Sequence, residues 1–182
     1  MKSNPLITHN SDRLVLGIDP GLASTGWGLV YCRGNRLVYH SHGTITTKSD
    51  MAHQERLLLI YNGIMGILED HPIVQAGMET LYFAKNVTSA MAVAEARGVI
   101  TLALAQKGIP LGEYTPHGIK QAVVGIARAD KKQVQESVRL LLGLAEIPKP
   151  DHAADALAAA ITRIHTADLC GSISCQLPQK KR

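Results

Sequence analysis

An α/β fold, with a mixed five-stranded sheet flanked by helices, is the architecture this sequence predicts. Two observations carry the prediction. Three short apolar runs separated by turn residues open the chain and read as hairpin-like strands, and after them helical and extended patterns alternate. A third observation sets the size: 182 residues with 46% apolar positions can bury one core but hardly two, so a single domain is expected.

Taken in order, residues 13–19 (RLVLGID) and 26–34 (GWGLVYCRG) are apolar runs rich in β-branched and aromatic residues and bounded by turn formers, which makes them strands. Residues 36–47 (RLVYHSHGTITT) alternate and form the third strand, with Gly34-Asn35 as the hairpin turn before it. From Met51 to Glu69, the apolar positions Leu57, Tyr61, Ile64, Met65 and Leu68 keep helical spacing until His71-Pro72 ends the pattern. A strand over 73–80 (IVQAGMET) precedes a helix over 86–107, where Ala90, Ala94 and Gly98 permit close approach of another helix. IPLGEY at 109–114 is the fifth strand, and helices follow near 116–126, 130–143 and 151–166. Beyond Ala167 the periodicity dissolves.

Charge and composition narrow the function classes. A net charge of +4 is mild, but it favours an anionic partner, with nucleic acid the first candidate. The opening residues hold no signal-peptide core and no window offers the apolar run of a membrane span, so a cytoplasmic protein without a membrane partner is expected. Cys32, Cys170 and Cys175 lack metal-ligand spacing and receive no role.

Three acids stand out from their surroundings. Asp19 follows LVLGI at the point where a buried strand reaches the sheet edge; alone, it is equally a turn aspartate before Pro20-Gly21. Glu79 is the one charged residue between His71 and Lys85, again near a strand end, where a solvent-facing carboxylate is the ordinary alternative. Asp155 lies in the alanine-rich helix PDHAADALAAAITRIH, opened by Pro150 with Asp151 as its expected N-cap. Leu157, Ile161 and Ile164 share the side of that helix that can pack on the sheet. His152 and Asp155 share another side, where Ala158 and Ala159 form the short-side-chain wall of a cleft rather than a solvated face. Carboxylates brought together repel by about 4 kcal/mol per pair at 4 Å and an effective dielectric of 20, so such a cluster needs protons or a cation. Oxygen donors suit Mg²⁺ or Mn²⁺, and a pair of such ions can assist phosphodiester hydrolysis.

GIDPG with STGWG, METLYFAKN, ARGVI, IKQAVVGIARADKKQV and DHAADALAAAI stand in the order and spacing of the RuvC family of bacterial Holliday junction endonucleases, which the chain resembles over roughly residues 12–166. The resemblance implies an RNase H-like fold for that segment, flanked by a flexible extension at 1–11 and a disordered basic tail at 167–182. It implies a homodimer that nicks two symmetry-related strands of a four-way DNA junction with Mg²⁺, Mn²⁺ able to substitute and two ions per site, beside a RuvA–RuvB branch-migration complex. Asp19, Glu79 and Asp155 fall on the family's catalytic, metal-holding carboxylates. His152 falls on the fourth such position, which is Asp or His among members; an imidazole is less typical for Mg²⁺ than for Mn²⁺ or Zn²⁺. Asp151 is the competing ligand, about 100° away on a regular helix. Tyr82 takes the place of the aromatic inserted at the junction's exchange point. Lys120 and Lys131 match DNA-contacting positions; with Arg128 and Lys132 they outnumber Asp130 over 120–132 and make a phosphate-tracking patch. Lys132, Lys85 and Asn86 are placed in the same DNA-binding groove.

Two rival readings start from the same residues. Actin- and hexokinase-like phosphotransferases also follow a first-strand Asp with Gly and Ser/Thr, but they need two lobes around a nucleotide and this chain has room for one. A non-catalytic junction-binding module would not keep Asp19, Glu79 and Asp155 together.

Overall fold

The computed structural model describes residues 12–80 and 87–171. Its elements follow one another as β1 (Arg13–Asp19), β2 (Ser24–Arg33), β3 (Arg36–Thr46), α1 (His53–Asp70), β4 (Ile73–Glu79), α2 (Val87–Gln106), β5 (Leu111–Tyr114), α3 (Pro116–Val124), α4 (Lys131–Leu141) and α5 (Asp151–Gly171). The five strands lie in the order β3-β2-β1-β4-β5. β1, β2 and β3 are antiparallel neighbours, whereas β1, β4 and β5 run parallel. Gly34-Asn35 makes the two-residue turn between β2 and β3, and Gly34 takes a φ of 58°, which a side chain there would resist.

Alternation along β1 divides the core. Leu14, Leu16 and Ile18 point to the face covered by α1 and α2, while Val15 points to the face covered by α3, α4 and α5. Gly17 and Asp19 share the parity of Val15, so the sequence itself aims Asp19 at the α5 side. α4 carries a reciprocal capping box, in which Asp130 accepts from the Gln133 amide and Gln133 accepts from that of Asp130. Among the described residues no helix is long and apolar enough to cross a membrane.

Several sequence-based expectations shift. On α1 the fully buried positions are Ile60 and Ile64, with Leu68 at their edge, so the inward stripe is centred one position away from Leu57 and Tyr61. On α2, Ala90 is buried but Ala94 and Gly98 are exposed, and the small residues therefore belong to two different sides. α5 continues to Gly171, past the boundary expected at 166. The Asp151 carboxylate is not turned to the amides of its own helix; it accepts from Gln135 Nε2 at 3.1 Å and pairs with Lys131 across the gap to α4. Finally, α5 has no exposed face from Ala153 to Ile161: it is the central helix of the domain rather than a two-faced one.

Candidate active site

Asp19 and Glu79 end β1 and β4, which are adjacent and parallel. Gly17 pairs with Gly77 and Ile18 with Met78, so one further step along the same register sets the two acids side by side at the carboxyl ends of the strands. This is also where the sheet switches direction, since the chain leaves β1 toward β2 on one side and β4 leads to β5 on the other. In open α/β sheets, ligands bind at such a place.

Four glycines then let α5 descend onto the sheet. A Cβ on Gly17 would lie 1.8 Å from the Ala156 carbonyl oxygen, one on Gly26 2.0 Å from that of His152, and one on Gly77 2.5 Å from that of Ala159. On Gly28 a Cβ would meet the Leu157 side chain at 2.7 Å. The helix backbone thus rests on the sheet backbone with no side-chain layer between. That close seat carries His152 to Asp19, with Nδ1 2.7 Å from Oδ2, and holds Asp155 above the same strand ends. Ala158 does line a cleft as expected, but Ala159 is part of the seat. On β3, His42 holds the Lys149 carbonyl at 3.2 Å from its Nε2, while its Nδ1 sits 3.0 Å from the Tyr39 hydroxyl; this pair steadies the entry to α5.

Electrostatics mark the cluster as short of positive charge. Burial raises the Asp19 pKa, the His152 hydrogen bond pulls part of it back, and Asp155 adds to the rise. Glu79 is pushed up to about 7, first by burial and then by Asp19 and Asp155, against the opposing pull of Lys120 and Arg97. Such groups ionise together only when a cation joins them. Three carboxylates suit a hard divalent ion in donor chemistry, and the imidazole is the one donor that leans toward Mn²⁺. Among the described residues, no three of these side chains converge closely enough to hold an ion as they stand, and the Lys131 ammonium lies 3.4 Å from the Asp155 carboxylate and 2.9 Å from that of Asp151.

A cleft of about 210 Å³ adjoins the acids, floored by Pro116, Ile119, Val134 and Ala158 and walled by Glu79, Asp155, Lys120 and Lys131. Lys132 is exposed and outside this lining. Tyr82, Lys85 and Asn86 lie outside the described residues. Two supporting residues are not singled out from the sequence, although Arg97 lies within the ARGVI motif. Arg97, on α2, donates to the Glu79 carbonyl and pairs with the Glu113 carboxylate, pinning the end of β4 to β5. Gln135 orients Asp151.

Fold and site together define a nuclease of the RNase H-like class, and comparison with known proteins narrows that class. A profile of the family described as "Crossover junction endodeoxyribonuclease RuvC" matches residues 15–163. The RuvC endodeoxyribonuclease of Treponema denticola is 57% identical over 155 residues, spanning 85% of this chain and 87% of the relative. The structure of Thermus thermophilus RuvC in complex with Holliday junction substrate superposes with a TM-score of 0.83 at 31% identity, covering 87% of this chain and 96% of that one. The yeast mitochondrial Holliday junction resolvase Ydc2 shares the fold alone, at 16% identity and a TM-score of 0.63 over 88% of this chain and 83% of that one. The chain belongs to the RuvC family of crossover junction endodeoxyribonucleases, hydrolases whose chemistry depends on a divalent metal ion.

Proposed function

We propose that the chain resolves Holliday junctions, hydrolysing one phosphodiester bond in each of two symmetry-related strands, with Asp19, Glu79, Asp155 and His152 as its catalytic and metal-holding residues. The observation that carries this reading is the meeting of Asp19 and Glu79, from adjacent parallel strand ends, with His152 and Asp155 of α5 beside a cleft walled by two lysines. Mg²⁺ is the proposed ion, with Mn²⁺ able to replace it and two ions per site. When bound, such ions neutralise the carboxylates and stabilise negative charge developing at the phosphorus centre. The protein's own residues do the rest. Asp19 and Glu79 are fixed by the sheet, Arg97 holds the Glu79 backbone, and Lys120 and Lys131 draw the DNA backbone to the cleft, with Lys132 beside them. Lys85 and Asn86 are assigned further DNA contacts by the family resemblance, and Tyr82, three positions after Glu79, the stacking on a base at the exchange point.

Two cuts related by symmetry call for two sites related by a twofold axis, which a homodimer supplies. On α2, Met91 (61% exposed), Ala94, Gly98 and Leu102 (52% exposed) recur at helical spacing on the solvent side, and Leu58 of the neighbouring α1 is 57% exposed. This apolar strip is the proposed dimer face. Work beside a RuvA–RuvB complex is supported by family membership alone. Incubating the protein with an immobile four-way junction, with and without Mg²⁺, and mapping nicks tests substrate, metal and symmetry together. Paired nicks at symmetric positions are expected; a junction left whole in Mg²⁺ would overturn the reading.

A further inference from the structure

Lys131 stands in an unusual position for a DNA-contacting lysine. Its ammonium is already engaged by two carboxylates of the same protein, Asp151 Oδ2 at 2.9 Å and Asp155 Oδ2 at 3.4 Å. Lys120 lines the same cleft and its charge is felt by Glu79, but it makes no direct ion pair among the described residues. The Asp151 end of the bridge is fixed: Gln135, itself only 9% exposed, donates to Asp151 Oδ1 at 3.1 Å and leaves Oδ2 for the lysine. The Asp155 end is the looser one and lies toward the metal-holding acids. A flexible, compact cation on a four-carbon stem can change partners without backbone movement.

We infer that Lys131 is the resident counter-ion of Asp155 in the metal-free, DNA-free protein, tethered by Asp151 and Gln135, and that it yields Asp155 to a divalent ion while staying on Asp151 at the cleft mouth. From that station the ammonium is within reach of an arriving DNA phosphate. The lysine and the ion are therefore rivals for Asp155, and whatever draws Lys131 away opens the metal site. Asp151, which the sequence offers as a rival ligand, becomes the tether instead. This inference rests on the reading of Asp155 as a metal ligand.

Mn²⁺ titration of the DNA-free protein, followed by electron paramagnetic resonance, tests it. Lys131→Met is expected to tighten Mn²⁺ binding by roughly two- to five-fold, the range for a partly exposed ion pair, and Lys120→Met by clearly less. Asp151→Asn, which leaves Asp155 as the ammonium's carboxylate partner, is expected to weaken Mn²⁺ binding more in the native background than in Lys131→Met. Equal shifts for the two lysines, or an Asp151→Asn effect that is the same in both backgrounds, would overturn the inference and leave the site assignment standing. A native protein that neither binds Mn²⁺ nor nicks a four-way junction would overturn the site assignment itself.

Discussion

His152 Nδ1 lies 2.7 Å from Asp19 Oδ2, joining the second residue of α5 to the last residue of β1 across 133 positions of sequence. Its neighbour Asp151 faces the other way, to Lys131 and Gln135. The two residues are thus separated by side-chain direction, and their roles should separate in the same way. At saturating metal, His152→Ala should lose most junction cleavage, His152→Asp should keep it, and Asp151→Ala should keep it as well. Nicking assays on the three variants check this; an inactive Asp151→Ala beside an active His152→Ala would reverse the assignment.

Asp19→Asn removes a charge from the proposed metal-holding cluster without touching the lysine-lined cleft. Replacing groups that merely orient metal ligands already lowers activity about 10–100-fold, so a direct ligand should cost more than about 100-fold in nicking rate. Junction binding, measured by gel shift in the absence of metal, should change little. Retained nicking would remove Asp19 from the centre of the site.

The pH dependence of stability follows from Glu79, whose carboxyl is raised from the ordinary 4.5 to about 7. A raised native pKa means that the folded chain binds the proton more tightly than the unfolded one, so this group opposes folding increasingly as pH rises from about 4.5 through about 7. Metal-free protein should therefore melt at progressively lower temperature across that window. Glu79→Gln should flatten the profile, and a divalent ion should restore the loss on the alkaline side. A melting temperature that rises over this range and is unchanged by Glu79→Gln would contradict the cluster's electrostatics.

Lys120 should neutralise about one phosphate. Lys120→Ala should then flatten the slope of log affinity against log salt by about 0.9 for a duplex-armed junction. Binding titrations across a salt series measure it, and an unaltered slope would put Lys120 outside the interface.

The seat of α5 makes a prediction that involves no acid. Gly17→Ala would drive a methyl group to 1.8 Å from the Ala156 carbonyl oxygen, a backbone atom that cannot step aside. Destabilisation of at least about 1–3 kcal/mol is expected from overpacking, read by denaturant unfolding. Gly98→Ala, where a Cβ meets nothing within 4 Å, is the control and should be neutral or stabilising in the monomer.

Much of this was legible in the sequence, and the reasons differ by element. The five strands and the helices α1 to α4 are signalled by period and turn chemistry, and Asp19 and Glu79 are conspicuous because each is a lone charge at the end of an apolar run. α5 is harder to read. A helix buried on nearly every side has no periodicity to expose, and the available signal is the absence of any charge between Asp155 and Arg163. Arg97, Gln135 and His42 escaped notice because their roles are made by partners 16 or more residues away in every contact that matters, which no local pattern encodes. The glycines were visible singly, but that Gly17, Gly26, Gly28 and Gly77 share one face depends on strand register.

The seat is made by backbone, the proposed site by side chains. Contact with Gly17, Gly26, Gly28 and Gly77 falls on the main chain of His152, Ala156 and Ala159 and on Leu157, whereas the Asp155 carboxylate takes no part in it and Asp19 and Glu79 sit at the strand tips. Shape and chemistry are consequently separable inheritances. A chain stripped of all three carboxylates would keep its scaffold, shed their mutual repulsion and retain its cationic cleft. On the proposed assignment, the protein disarmed in this way is expected to become a trap that grips a four-way junction and leaves it intact.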